Sequence, residues 1–139
     1  MGTYHEELEI RTRGDCDIID LTNVVETTVR KSGFKSGICT VFCPGSTGAV
    51  TTIEYEEGLL EDFPQAMERI APKSAVYQHH LRWGDGNGHA HIRSSVIGPS
   101  LTVPFVEGRL RRGTWQQIVF IDFDNRPRTR RIDVMVVGD

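Results

Sequence analysis

Polar and apolar residues alternate from Tyr4 to Arg11, with Tyr4, Glu6, Leu8 and Ile10 on one side and His5, Glu7, Glu9 and Arg11 on the other. This period of two predicts an edge-like strand. Gly14 and Asp15 break it. Asp17 then caps a predicted helix, with Asp20 in its first turn, where negative charge suits the helix dipole. Ile18, Leu21, Val25, Thr28 and Val29 form the apolar stripe, and Gly33 is the stop signal. Gly37 to Cys43 reads as a short apolar strand, Pro44 to Gly48 as a loop, and Ala49 to Tyr55 as a β-branched strand. A second helix is predicted from Leu59 to Ala71, with Leu59, Phe63, Met67 and Ile70 on one face. Pro64 suits only its first turns, and Pro72 ends it.

The remainder reads as β. Segments at Val76–Leu81, Ala90–Ile97, Leu101–Phe105, Trp115–Phe123 and Ile132–Val137 are separated by Gly, Asp, Asn and Pro clusters. Glu107-Gly108 and Asp124-Asn125-Arg126-Pro127 look like hairpin turns. Two early helices followed by successive strands predict an α+β fold: a compact, mainly antiparallel β-sandwich or roll with two helices packed on one side. With no internal repeat or linker, residues 1–139 read as a single domain.

Composition narrows the class. The chain has 139 residues, 38% of them hydrophobic and 25% charged, with a formal net charge of −3. That balance argues against a generally basic nucleic-acid binder and a disordered acidic tail. No apolar run approaches the roughly 20 residues of a membrane-spanning helix. The start lacks the basic and apolar regions of a signal peptide, so the cytoplasm is the expected location. Cys16, Cys39 and Cys43 form an odd set without a Cys-x-x-Cys pair, which reads as reduced, buried thiols.

The candidate chemistry centres on Gly84 to Ser95. A glycine-rich loop leads into His89-Ala90-His91-Ile92-Arg93, and as a strand this run projects His89, His91 and Arg93 to one face. Two imidazoles spaced in this way can close onto one metal ion. His79 or His80 offers a third ligand, since an extended chain points only one of them inward. Acidic residues concentrate from Glu54 to Glu68, and seven arginines lie between Arg109 and Arg131. Arginine forks match phosphate and carboxylate geometry. Glu54, within a run of apolar and Thr residues, reads as a metal ligand, a general base, a partner of a histidine, or simply a residue on an outward face. Gly45-Ser46-Thr47-Gly48 has the look of an anion-holding loop but lacks the Walker ending. Gln116 and Gln117 could bind a polar substrate, and Trp115 reads as a packing residue.

Three stretches together carry a family resemblance. They are Gly86-Asn87-Gly88-His89-Ala90-His91-Ile92-Arg93-Ser94, Ile97-Gly98-Pro99-Ser100-Leu101-Thr102-Val103-Pro104, and Gly113-Thr114-Trp115-Gln116-Gln117-Ile118 followed by Asp122-Phe123-Asp124. With Ser46-Thr47, Thr51 to Tyr55 and Tyr77-Gln78-His79 in the same order, the chain resembles the YjbQ family, also called secondary thiamine-phosphate synthases. The resemblance implies a homotrimer with a divalent metal at a histidine cluster. It also implies a weak transferase activity joining a pyrimidine diphosphate to a thiazole phosphate. On this reading His79, His89 and His91 hold zinc (magnesium being the alternative for diphosphate chemistry) and Glu54, His79 and His91 are catalytic. Thr47, Thr51, Arg93 and Gln116 would bind the small phosphorylated metabolite. Many members carry His-Thr-Thr or His-Thr-Ser where this chain has Gly45-Ser46-Thr47, so His89 is expected to replace that missing imidazole. The rival readings are a non-catalytic module for metal or phosphorylated ligands and a metal-dependent hydrolase.

Overall fold

One strand buried on both faces sets the layers of this protein. In the computed structural model, which describes residues 1–139, the elements run β1 (Gly2–Thr12), β2 (Asp17–Asp20), α1 (Thr22–Ser32), β3 (Ser36–Phe42), β4 (Gly48–Ile53) and α2 (Glu57–Ile70). They continue as α3 (Gln78–Trp83), α4 (Gly88–Ile97), β5 (Ser100–Val106), β6 (Arg109–Leu110), β7 (Gln117–Asp122) and β8 (Arg128–Gly138). All pairings are antiparallel, in a large sheet ordered β1-β8-β3-β5-β6 and a small one ordered β2-β7-β4. Along β7, Ile118 and Phe120 face a core shared with α1 and the large sheet, while Val119 and Ile121 face α2 and α4. A strand covered on both sides needs apolar residues at consecutive positions, and Ile118 to Ile121 supply them. The α+β, mainly antiparallel architecture agrees with the sequence reading, but with four helices rather than two.

The alternation in β1 is as read, with Tyr4, Glu6, Leu8 and Ile10 turned inward. Gly33 ends α1 in the left-handed conformation, φ 74°. Glu107 and Gly108, φ 53° and 72°, turn β5 back on β6. Other elements differ from the expectation. Asp17–Asp20 pairs with β7 as a strand rather than opening a helix. The helix begins later, where the Thr22 N–H and Oγ1–H both donate to Asp20 Oδ1, at 2.9 and 2.6 Å. Pro64 lies well inside α2, and Ile70 is exposed. Trp115, assigned to packing by its bulk, is 71% exposed.

The larger correction concerns Val76–Leu81 and Ala90–Ile97, which are not strands. Residues from Gln78 to Trp83 and from Gly88 to Ile97 are helical. In α4, Ala90, Ser94 and Ile97 recur at helical spacing. Ala90 and Ile97 pack against the small sheet, and Ser94 Oγ donates to Gly48 O at 2.6 Å. Tertiary burial of that face decides the conformation over the short apolar–polar alternation. The Asp124–Pro127 turn is likewise no hairpin, because it carries the chain from β7 in one sheet to β8 in the other.

At that crossing the two sheets are joined by a buried ion pair. Asp122 is fully buried at the end of β7, and Arg130 occupies an inward position of β8 in line with Ile132, Val134 and Val136. Arg130 Nε and Nη2 donate to Asp122 Oδ2 and Oδ1 at 2.9 and 2.8 Å. Thr12 Oγ1 and the Asp124 N–H donate to the same carboxylate at 2.6 and 3.0 Å. Four donors compensate an acid that would otherwise be costly to bury.

Asp122→Asn leaves the Arg130 charge without its counter-ion and is expected to cost about 3–5 kcal/mol in urea denaturation. Asp133→Asn, at a part-exposed pair with His5, should cost less than about 1 kcal/mol. All three cysteines are buried and free, and burial pushes the Cys16 and Cys39 thiols up to about 11. Native protein at pH 8 should therefore react with Ellman's reagent only on unfolding, when all three thiols appear.

Candidate functional site

The site is assembled by the docking of α3 on α4. Gly88 opens α4 against Tyr77, and a Cβ there would lie 2.5 Å from the tyrosine Cβ. The Gly88 N–H donates to His80 Nε2 at 3.1 Å, so His80 faces inward as a structural acceptor. This close approach sets His79 beside His91, with ring centroids 4.4 Å apart. The connecting loop adds Asp85. One ligand atom from each of His79, Asp85 and His91 lies within 4.8 Å of the others.

His79 Nδ1 is 3.3 Å from Asp85 Oδ1 and, although buried, has no hydrogen bond. Two ligands of one tetrahedral zinc ion lie about 3.3 Å apart, given metal–ligand distances of about 2.0–2.1 Å. A buried ring nitrogen without a partner is rare in folded proteins. The Asn87 N–H, more than the facing His79 and His91 rings, holds the Asp85 carboxyl below its usual range, so it is an anion ready to bind a cation. Two imidazoles and one carboxylate fit a divalent transition metal, with coordination positions left open.

A cavity of about 510 Å³ opens beside this cluster and has no hydrophobic residue in its lining. His91 and Asp85 form one side, the loop Pro44–Thr47 another, and the β7–β8 turn with Arg126, Arg128 and Arg130 the third. Thr47 connects two of these sides. It accepts from Arg130 Nη2 at 2.7 Å and donates to Asp124 Oδ2 at 3.1 Å, and Arg128 also reaches that oxygen at 3.3 Å. Asn87 completes the frame, donating to Asp124 Oδ1 at 3.3 Å and accepting from the Asn125 N–H at 3.0 Å. Arg130 is held rigidly by Asp122, yet its Nη1 has no hydrogen-bond partner. Nη1 lies 3.2 Å from where a Cβ on Gly45 would stand. The backbone N–H groups of Gly45, Ser46 and Thr47 are also unpaired within the protein.

His79 and His91 thus come together, and Thr47 lines the adjoining cavity. The other residues named from sequence do not join them. On a helix, positions i and i+2 are about 200° apart, so His89 points away from His91 into the core. His89 is 1% exposed, and burial, followed by the charges of Arg93 and Lys73, pushes its pKa down. It cannot reach the His79–His91 cluster, so the exchange of His89 for the missing imidazole is not what the fold builds. Arg93, one helical turn on, is buried on Ala71 O and Glu68 Oε2. Glu54 is exposed just beyond β4, and roughly 20 Å of strand separates it from the Gly48 end beside the cavity. Thr51, in mid-strand, and Gln116, whose Oε1 accepts from the Gly113 N–H, lie away from the cavity within this chain. Asp85 went unnoticed because Gly84-Asp85-Gly86 reads as a turn. A carboxylate six residues before a histidine in a tight loop was the available signal.

Comparison with known proteins places nearly the whole chain in one family. The family model described as "UPF0047 protein YjbQ-like" matches residues 6–139. A UPF0047 protein of Methanothermobacter thermautotrophicus is 39% identical over 138 residues, covering 99% of this chain and 94% of that protein. One from Archaeoglobus fulgidus is 40% identical over 128 residues, covering 92% and 97%. The crystal structure of a YbjQ-like protein of unknown function from Sulfolobus solfataricus P2 superimposes with a TM-score of 0.95 at 35% identity, covering 99% of each chain. The chain belongs to the YjbQ-like UPF0047 family.

Proposed function

We propose that this protein is a divalent-metal-dependent enzyme acting on a small phosphorylated metabolite, with His79, Asp85 and His91 as metal ligands. The observation that carries this reading is the pairing of that three-residue cluster with an arginine-lined cavity sharing Asp85 and His91. Zinc suits two imidazoles and a carboxylate better than magnesium, which prefers oxygen ligands and retained water. A bound metal would act as a Lewis acid toward an oxygen of the substrate. Arg126 and Arg130 would neutralise the phosphoryl charge, and Asp124 and Asn87 would hold the two walls in register. The transfer of a pyrimidine group from diphosphate to a thiazole phosphate is then a secondary activity of the same cavity, with the arginines receiving the departing diphosphate. Glu54 and Gln116 could contribute only from a neighbouring subunit.

The homotrimer is part of the proposal. Ile38 and Phe42 on β3, Val106 on β5 and Met135 on β8 are exposed on the outer face of the large sheet. Ile38 stands opposite Pro104 and Val137, and Thr40 opposite Met135, so the patch is continuous across strands. An apolar sheet face of this kind is favourably covered by another subunit.

Light scattering should give about three times the 15.6 kDa chain mass, and Ile38→Asp with Met135→Asp should yield monomer. A wild-type monomer would contradict the trimer. Zinc titration should load one ion per chain, with affinity reduced about tenfold or more in His79→Ala and His91→Ala and unchanged in His89→Ala. Loss of zinc in His89→Ala alone would overturn the ligand assignment. In a synthase assay, the two ligand variants should lose the slow turnover of the parent. Ligand binding without turnover under any divalent metal would favour the non-catalytic module.

A further inference from the structure

The cavity also carries information about what the metabolite looks like. Small-molecule pockets are usually lined mainly by hydrophobic and aromatic side chains that cover the ligand's apolar surface. This one is lined almost wholly by polar groups: its twelve residues are Pro, Gly, Ser, Thr, Asn, Asp, His and Arg. A heteroaromatic ring placed there would strip water from amides and charges without returning their hydrogen bonds, which costs free energy at each group. A hydroxyl-bearing chain would return them.

The phosphate end is equally defined. The Gly45, Ser46 and Thr47 N–H groups are consecutive and unpaired, and all three residues line the cavity. Successive backbone N–H groups in a turn conformation can make an anion-binding concavity. Beside them stands Arg130, more than nine-tenths buried and fixed at Nε and Nη2 by Asp122, with Nη1 left over. Because its other nitrogens are already bonded, little entropy is lost when Nη1 binds an anion. Gly45 keeps the space in front of Nη1 open, since a methyl there would approach it to 3.2 Å. Its backbone is not left-handed, so what a methyl here would change is the space in front of Nη1.

Building on the metal-and-phosphate reading above, we infer that the preferred substrate is a ring-free phosphomonoester of a small polyol or hydroxy acid. Its phosphate rests on the Gly45–Thr47 loop and Arg130, and its hydroxyl or carboxylate end reaches toward Asp85 and His91. The pyrimidine and thiazole phosphates would then be poor fits to a site shaped for a hydrophilic chain.

The test is calorimetry on zinc-loaded, full-length protein with three probes: inorganic phosphate, glycerol 3-phosphate and phenyl phosphate. Glycerol 3-phosphate should bind at least about tenfold more tightly than either of the others. Gly45→Ala should weaken it by about tenfold or more with zinc affinity and thermal midpoint unchanged. Ser46→Asp, an exposed position that adds a negative charge to the loop, should abolish it. Phenyl phosphate binding as well as or better than glycerol 3-phosphate would overturn the substrate class while leaving the phosphate site standing. If none of the three binds, the phosphate site falls and the substrate class with it. Full affinity in both loop variants would show that the phosphate does not sit where it is placed here.

Discussion

The Asp122–Arg130 ion pair is the constraint on which the functional end of this protein depends. It links the last residue of the doubly covered strand β7 to an inward position of β8 in the other sheet, with Thr12 of β1 completing the carboxylate's bonds. Burying two charges is unfavourable unless geometry and additional hydrogen bonds compensate for lost hydration. Here the acid has four donors, and the base spends two of its three nitrogens on it. The third nitrogen is what remains for a ligand. One arrangement thus both fastens the sheets and presents a fixed positive group at the cavity floor.

The His79–Asp85–His91 cluster is attached to this floor from above. The α3–α4 loop would be a loose, glycine-rich excursion on its own, with Gly84 and Gly86 both in left-handed conformations. Asn87 ties it down through Asp124, and Asn125 Nδ2 returns a bond to Asp85 O at 2.7 Å. Asp124 in turn receives Thr47 and Arg128. A displacement of the turn between the sheets would therefore move both the carboxylate of the cluster and the arginines facing it. Coupling through shared hydrogen bonds holds residues from four separate stretches of sequence around one cavity.

Much of the framework was legible in the chain because burial imposes simple periods. The alternation in β1, the apolar run of β3, the Gly33 cap and the Glu107-Gly108 turn are all local consequences of local patterns. The helices α3 and α4 were not legible. The first is too short to show a face, and in the second the alternation of His89, His91 and Arg93 mimics a strand while Ala90, Ser94 and Ile97 carry the helical period. That single misreading put His89 beside His91 when it belongs to the core. The acid enclosed by an apolar strand is Asp122, not Glu54. Ile118 to Ile121 precede Asp122 without a break, whereas Glu54 sits past the end of its strand. Recognising Asp85 required knowing that two helices fold back on each other, which no local pattern states.

The most direct measurement is anomalous diffraction at the zinc edge from a crystal of protein loaded with one equivalent of zinc. The account predicts one peak per chain, bounded by His79, Asp85 and His91 and opening onto the arginine-lined cavity. A peak bound instead by His89, or zinc found only at scattered surface carboxylates, would contradict it.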